Sequence, residues 1–359
     1  MKVLELFGGI GACSKALENL GIDFEIVDYV EIDKYAVKSF NALHGTDFVP
    51  QDICSWDKEL EVDLLMHGSP CQDISIAGHQ AGADEGSGTR SSLMYETLRI
   101  IEKVYPKYVV WENVRNLLGK SHFHNFKAYL DKMEELGYVN YYKLLNARDF
   151  GIPQNRERVF TVSIRKDLDK GYSFPEGRAL TLKLKDMLEE KVDEKYYLSD
   201  KMKKYISMSG TKGFRNNDCV INLDIARPLT TEQNKRAGTT NYLSKDLPDN
   251  YDLRDIYKPR VVGGIGEKKS NGGAQWYQQD RIYDNKIVIS VTTSFNPYYL
   301  DGVNIRRLTP REAWRLMGFS DSDFDKVKDI NSNAQLYKQA GNSIVVNVLE
   351  AVLFNLFGK

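Results

Sequence analysis

The chain has 359 residues, 42% hydrophobic and 28% charged, enough apolar material for a sizeable core and unlike a disordered chain. Its 49 Lys+Arg against 50 Asp+Glu leave a net charge of -1, which argues against coating nucleic acid by bulk charge and leaves room for a local basic patch. Four cysteines (Cys13, Cys54, Cys71, Cys219) form no CxxC pair, so neither a zinc ribbon nor a disulfide scaffold is expected.

Lys2-Val3-Leu4-Glu5-Leu6-Phe7 reads as a buried strand. Its carboxylate interrupts any signal-peptide core, and no apolar run nears the ~20 residues of a membrane span, so a cytoplasmic chain with no membrane partner is expected. The glycine loop Gly8-Gly9-Ile10-Gly11 leads into a helix from about Ser14 to Leu20. A second strand runs from Phe24 to Glu31, followed by a helix with Tyr35, Ala36, Phe40 and Leu43 at helical spacing. Short apolar strands recur at Val62 to Met66, Tyr108 to Trp111 and Arg158 to Ile164. Such alternation predicts an open, mostly parallel α/β sheet that binds ligands at the carboxyl ends of its strands. From about Lys166 to Asn304 the alternation is lost, which predicts a smaller, irregular second domain. Lys201, Lys203, Lys204, Lys212, Arg215, Lys235 and Arg236 give this segment local cation density, with Lys203, Lys204 and Lys212 expected on phosphates. Residues 305–359 then return to the first domain (residues 1–165), through a helix opened by Thr309-Pro310-Arg311-Glu312 and a closing apolar helix with Leu349, Val352, Leu353 and Leu356.

Chemistry-bearing residues cluster at the strand ends. The glycine loop after the first strand suits a nucleotide-like ligand, and Glu31, ending the second, stands where an acid commonly binds ribose hydroxyls. Taken alone, a glycine-rich structural turn explains the loop equally well. Cys71, in Gly68-Ser69-Pro70-Cys71-Gln72, has polar neighbours, a proline-constrained backbone and a glycine-rich loop after it, features that suit a nucleophile. Cys13, Cys54 and Cys219 read as small buried hydrophobes. Glu112, directly after Val109-Val110-Trp111, either pairs or does chemistry. Arg156 and Arg158 alternate at the start of the next strand and would point the same way; singly, each reads as a structural ion pair.

In this order the motifs resemble a DNA (cytosine-5) methyltransferase of the bacterial or phage type, over nearly the whole chain. The set comprises FxGxG at Phe7 to Gly11, PCQ at Pro70 to Gln72, ENV at Glu112 to Val114 and QxRxR at Gln154 to Arg158. RxLTxRE follows at Arg306 to Glu312, and GNSxxxxV from Gly341 to Val348. The resemblance implies a Rossmann-like S-adenosylmethionine-dependent methyltransferase sheet with a target-recognition domain at residues 166–304. It further implies transfer of a methyl group to carbon 5 of a flipped-out cytosine in double-stranded DNA, leaving S-adenosylhomocysteine. Cys71 would add to carbon 6, and Glu112 would protonate or hydrogen-bond ring nitrogen 3. Arg158 would bind the cytosine carbonyl oxygen with Arg156 close by, and the loop from Ser75 to Arg90 would close over the base. The base that removes the carbon 5 proton is left open. For the cofactor, Phe7 would pack on adenine, Gly9 and Gly11 would line the methionine arm and Glu31 would hold the ribose. Asp52 and Ile53 would lie at the adenine edge, with Asn342 and Ser343 closing the pocket. No metal is expected, and a monomer is, serving a restriction-modification system or acting as a phage or orphan enzyme. Cys13 departs from the family, many of whose members carry a glycine there. A relative acting on transfer RNA would show a CFT-containing segment, where this chain has Cys219-Val220-Ile221. A catalytically dead, DNA-binding relative would have lost part of the PCQ, ENV and QxRxR set. A nicotinamide oxidoreductase would explain the glycine loop but not Cys71 with Glu112 and Arg158.

Overall fold

A computed structural model describes residues 1–69, 93–199, 203, 220–231, 240–252, 261–264, 281–283 and 304–358. The chain divides into two compact units. The first is Met1–Met187 with Arg227–Gln233 and Pro310–Lys359; the second is Leu188–Ala226 with Asn234–Thr309.

The first unit is built on a six-stranded sheet of β1 (Lys2–Leu6), β2 (Glu25–Val30), β3 (Leu64–His67), β4 (Tyr108–Val114), β5 (Tyr138–Asn146) and β6 (Glu157–Arg165). Its order is β2-β1-β3-β4-β6-β5. β2, β1, β3 and β4 run parallel, so their carboxyl ends share one edge. β6 is antiparallel to both β4 and β5, and Val114 stands opposite Arg158. Gln154 to Arg158 therefore enters the sheet at a strand's amino end, not at a carboxyl end as expected, yet reaches the same edge as Glu112. The short link from β5 to β6 leaves no room for the crossover that a parallel pairing requires.

The crossover helices are α1 (Ala12–Asn19), α2 (Lys34–His44), α3 (Met94–Val104) and α4 (Phe123–Glu135). α2 forms where its spacing predicts. Asp33 caps it by accepting from the Tyr35 N–H at 2.9 Å, and Gly45 ends it in the left-handed region. Leu98 and Ile101 of α3 and Phe126, Tyr129 and Met133 of α4 join Leu4, Leu65, Val109 and Trp111 of the sheet in one core cluster. The C-terminal part holds α5 (Pro310–Arg315), α6 (Asp321–Val327), α7 (Asn333–Asn342) and α8 (Val346–Phe357). The stretch Asn333–Phe357 is long and apolar enough to cross a membrane, but the helix breaks between α7 and α8, and Val346, Val348, Leu349, Val352 and Leu353 are buried. Its apolar face is a core face.

The described strands of the second unit are short antiparallel pairs: β7 (Val220–Ile221) with β9 (Tyr251–Asp252), β8 (Tyr242–Leu243) with β12 (Arg306–Arg307), and β10 (Val261–Gly264) with β11 (Arg281–Tyr283). The division falls after Met187 and after Thr309 rather than at the expected 165/166 and 304/305. Residues 227–233, expected in the recognition segment, pack with the first unit. The reason is polar: Arg156 Nη1 donates to Leu229 O at 2.8 Å, and Gln154 Oε1 accepts from Leu229 N at 3.1 Å. Gly341 also lies so close to the Thr230 backbone that a Cβ there would stand 2.5 Å from its carbonyl carbon.

Candidate active site

The β1 exit bends through Phe7, at φ 52°, into the glycine loop. Gly11, at φ 79°, abuts His44 and Phe40, so a side chain there meets both steric and backbone strain. A Cβ on Gly9 would meet nothing within 4 Å, so there is steric room beside this one glycine of the loop. Glu31, past the end of β2, accepts from Gly9 N at 3.1 Å and Asp33 N at 2.8 Å. Burial raises its carboxyl above the ordinary range, while these two N–H groups pull it down. Ile32, the next residue in the chain, is 69% exposed, an apolar side chain left in solvent. Sequence reasoning missed Ile32; its signal was an aliphatic residue directly after the strand-end acid.

Asp52 caps the 3-10 turn Ile53–Ser55, accepting from Cys54 N at 3.0 Å. Ile53 turns its side chain into the core, which leaves its backbone for any ligand at this edge. Asn342 is exposed at the end of α7, whereas Ser343 is buried and its hydroxyl donates to Ile344 O at 3.1 Å. Steric room at Gly9, a carboxylate with lone pairs to spare and an exposed apolar side chain together fit an adenosine-bearing cofactor with a ribose to bind.

Two strands over, β3 ends at His67, and Gly68-Ser69 leads towards Pro70, Cys71 and Gln72. Those three residues and the loop from Ser75 to Arg90 lie outside the described residues, as does Cys219. Ser69 Oγ accepts from Trp111 Nε1 at 3.1 Å and Asn113 Nδ2 at 3.3 Å, which ties this exit to the strand carrying Glu112. Glu112 is 9% exposed, and its Oε2 would lie 3.9 Å from a Cβ built on Gly68. Arg158 Nε stands 3.0 Å from Glu112 Oε1, an ion-pair distance at which the N–H points off line, so Oε1 has no aligned donor among the described residues. Burial pushes the Glu112 carboxyl up, against the opposing charges of Arg158 and Arg156. A buried carboxyl raised in this way can carry a proton and give it up.

Arg156 precedes β6, so the pleat does not aim it alongside Arg158. Its guanidinium is buried and donates to the carbonyls of Leu229 at 2.8 Å, Gly341 at 3.1 Å and Ser343 at 2.9 Å. Gln154, fully buried, donates to Leu316 O at 2.8 Å. Two of the three fixed positions of QxRxR thus staple returning segments to the sheet edge, and Arg158 alone pairs with Glu112. Arg156→Met should cost about 3 kcal/mol or more of stability by orphaning buried carbonyls, read by urea denaturation. A loss under about 0.5 kcal/mol, the scale of an ordinary surface change, would refute the stapling role.

Cys54, expected to be buried, is exposed on the 3-10 turn, because Ile53 and Trp56 take the inward positions. Lys203 is only 9% exposed, which removes it from the lysines expected to face phosphates. Lys201, Lys204, Lys212, Arg215, Lys235 and Arg236 lie outside the described residues.

The chain matches the sequence profile of the C-5 cytosine-specific DNA methylase family over residues 1–358. It is 39% identical over 327 residues to the type II methyltransferase M2.ScrFI of Lactococcus lactis subsp. cremoris, covering 90% of this chain and 74% of that one. It is 32% identical to the orphan methyltransferase M.SPRI of Bacillus phage SPR, covering 99% and 97% of the two chains. Among solved structures, a Spodoptera frugiperda DNMT2 mutant superposes with a TM-score of 0.70 at 21% identity, covering 99% of both chains, a likeness of fold.

Proposed function

As a member of the C-5 cytosine-specific DNA methylase family, this chain is a DNA (cytosine-5) methyltransferase, and we propose that it works through a covalent adduct of Cys71. The observation that supports this most directly is the buried, raised carboxyl of Glu112 beside Arg158, at the edge where β3 leads to Cys71.

Carbon 5 of cytosine is a poor nucleophile, and the chain's residues must make it a better one. The Cys71 thiolate adds to carbon 6, and the ring's electrons shift towards carbon 5 and nitrogen 3. Glu112 meets the negative charge by giving its proton to nitrogen 3. Arg158 binds the carbonyl oxygen and steadies the carboxylate that Glu112 becomes. S-adenosylmethionine supplies an electrophilic methyl group for carbon 5. Loss of the carbon 5 proton to a base, with return of the nitrogen 3 proton to Glu112, then expels Cys71 as thiolate. The target must leave the duplex stack first, at about a few kcal/mol. Phe7, Gly9, Gly11, Glu31, Asp52, Ile53, Asn342 and Ser343 would hold the cofactor, with Ile53 contributing backbone. Methylation sequencing at base resolution, on DNA from cells expressing the chain, tests this reading. Cytosine-5 methylation confined to one short motif is expected, and an unmodified genome would refute it.

Sequence choice we assign to the second unit, residues 188–226 and 234–309, acting on double-stranded DNA as a monomer in the cytoplasm. Relatives of both the type II and the orphan phage kind leave either setting open to this chain. Grafting residues 188–309 into a relative of known specificity should transfer the methylated motif. An active chimera that keeps its host's motif would refute the assignment. Lys204→Ala and Lys212→Ala should weaken binding about equally on all DNA sequences, each lowering the salt slope by roughly one unit. A changed motif in either variant would count against a phosphate role.

A further inference from the structure

We propose that Arg99 positions the adenine end of the cofactor site, by gripping the backbone of the 3-10 turn that carries Asp52 and Ile53. The inference rests on the cofactor reading above and concerns how the turn is held.

The turn is too short to hold itself. Its own bonds all fall within five residues: Ser55 N and Oγ to Asp52 O at 3.1 and 3.0 Å, Trp56 N to Ile53 O at 3.2 Å, and the Asp52 carboxylate cap on Cys54 N at 3.0 Å. Two outside groups grip it from different elements. From β2, the buried Asp28 carboxylate accepts from Trp56 Nε1 at 2.7 Å and from Gln51 Nε2 at 2.9 Å, so it holds the flanking side chains. From α3, Arg99 Nη1 donates to Trp56 O and Nη2 to Ile53 O, both at 3.0 Å, so it holds the backbone. Its Nε donates to Glu96 Oε2 at 2.8 Å, one turn back on the same helix, which fixes the plane of the guanidinium.

The planar fork matches two carbonyls at the end of one turn. A lysine ammonium could hold one of them but would not set their relative orientation. Ile53 brings only its backbone to a ligand, and Asp52 is the turn's cap, so a rotation of the turn moves both groups that would meet adenine. Lys103, one turn further along α3, provides an internal comparison. It pairs with Asp57 at 2.5 Å and Glu59 at 2.9 Å, two exposed carboxylates just past the turn, and touches no backbone carbonyl of the turn.

Titration calorimetry with S-adenosylhomocysteine, alongside steady-state kinetics in both substrates, tests the proposal on the full chain. Arg99→Met should weaken S-adenosylhomocysteine binding by about tenfold and raise KM for S-adenosylmethionine by the same factor. KM for DNA, and kcat at saturating cofactor, should stay within about twofold of wild type. Arg99→Lys, the conservative change that protects against a folding failure, should fall between the two, and Lys103→Ala should bind like wild type. The proposal is overturned if Arg99→Met and Arg99→Lys bind S-adenosylhomocysteine as wild type does. It is equally overturned if both KM values, kcat and Tm decline together, which marks a general brace. Wild-type protein that binds no S-adenosylhomocysteine would sink the cofactor reading itself, a result distinguishable from either.

Discussion

DNA carrying 5-fluorocytosine at the target position should trap the enzyme in a complex that survives denaturation, with the cross-link on the peptide containing Pro70-Cys71-Gln72. Once the Cys71 sulfur is bonded to carbon 6 and the methyl group to carbon 5, release requires carbon 5 to lose its remaining substituent as a cation. Hydrogen leaves as a proton; fluorine cannot leave as its cation, so the carbon–sulfur bond persists. The adduct should therefore require S-adenosylmethionine. Cys71→Ser should abolish it and lower turnover on normal DNA by on the order of 10⁴-fold, since a hydroxyl near neutral pH is a far weaker nucleophile. Competing thiols are poorly prepared for the role. Cys13 is buried on α1, and burial together with the Glu5 carboxyl pushes its thiol well up. Cys54 is exposed, but partial burial and the nearby Asp52 and Glu96 raise it too. Cys13→Ser, Cys54→Ser and Cys219→Ser should all trap normally. An adduct mapped to Cys13 or Cys54, or one that forms in Cys71→Ser, would refute the mechanism while leaving the family intact.

The parts of the fold that were legible are those with a local cause. β1, β3 and β4 carry short apolar runs buried among neighbours, β2 is buried over its last three residues, and α2 carries its cap, its helical spacing and its terminal glycine in local sequence. β5 escaped because Tyr141, Tyr142 and Lys143 on this edge strand are only partly buried or exposed, so no continuous apolar run marks it. Without β5 the antiparallel direction of β6 could not be inferred, so the sheet edge at which Gln154 to Arg158 enters could not be placed. Spacing set Arg156 and Arg158 side by side as equals. What separates them is contact with residues far along the chain, the carbonyls of Leu229, Gly341 and Ser343, which no local pattern encodes. The same holds for Arg99, whose partners Ile53 and Trp56 precede it by a whole β-strand unit. Asp52 and Ile53 were placed by motif, but the inward turn of Ile53 follows from core packing that the motif does not contain.

Glu112→Gln should separate chemistry from stability, because the same burial that serves one opposes the other. The amide preserves shape but has no proton to give nitrogen 3, so kcat should fall by about 10²-fold or more while DNA affinity changes little. Stability should move the other way with pH. A carboxyl whose folded pKa lies above its unfolded value favours the native state only while protonated. Its contribution is full below the ordinary value of 4.5 and is lost as pH rises through the higher native value. The amide of the variant cannot ionise, so its Tm relative to wild type should climb as pH rises above about 4.5 and level off once pH passes the raised native value. Arg158, 3.0 Å away, limits that climb by stabilising the ionised form, and Arg158→Met should enlarge the pH dependence that Glu112 confers. If Glu112→Gln instead loses stability most at high pH, the carboxylate is a net-favourable ion pair in the fold. A fall in DNA affinity matching the fall in rate would point the same way, and Glu112 would then be a strut for Arg158 in place of a proton donor.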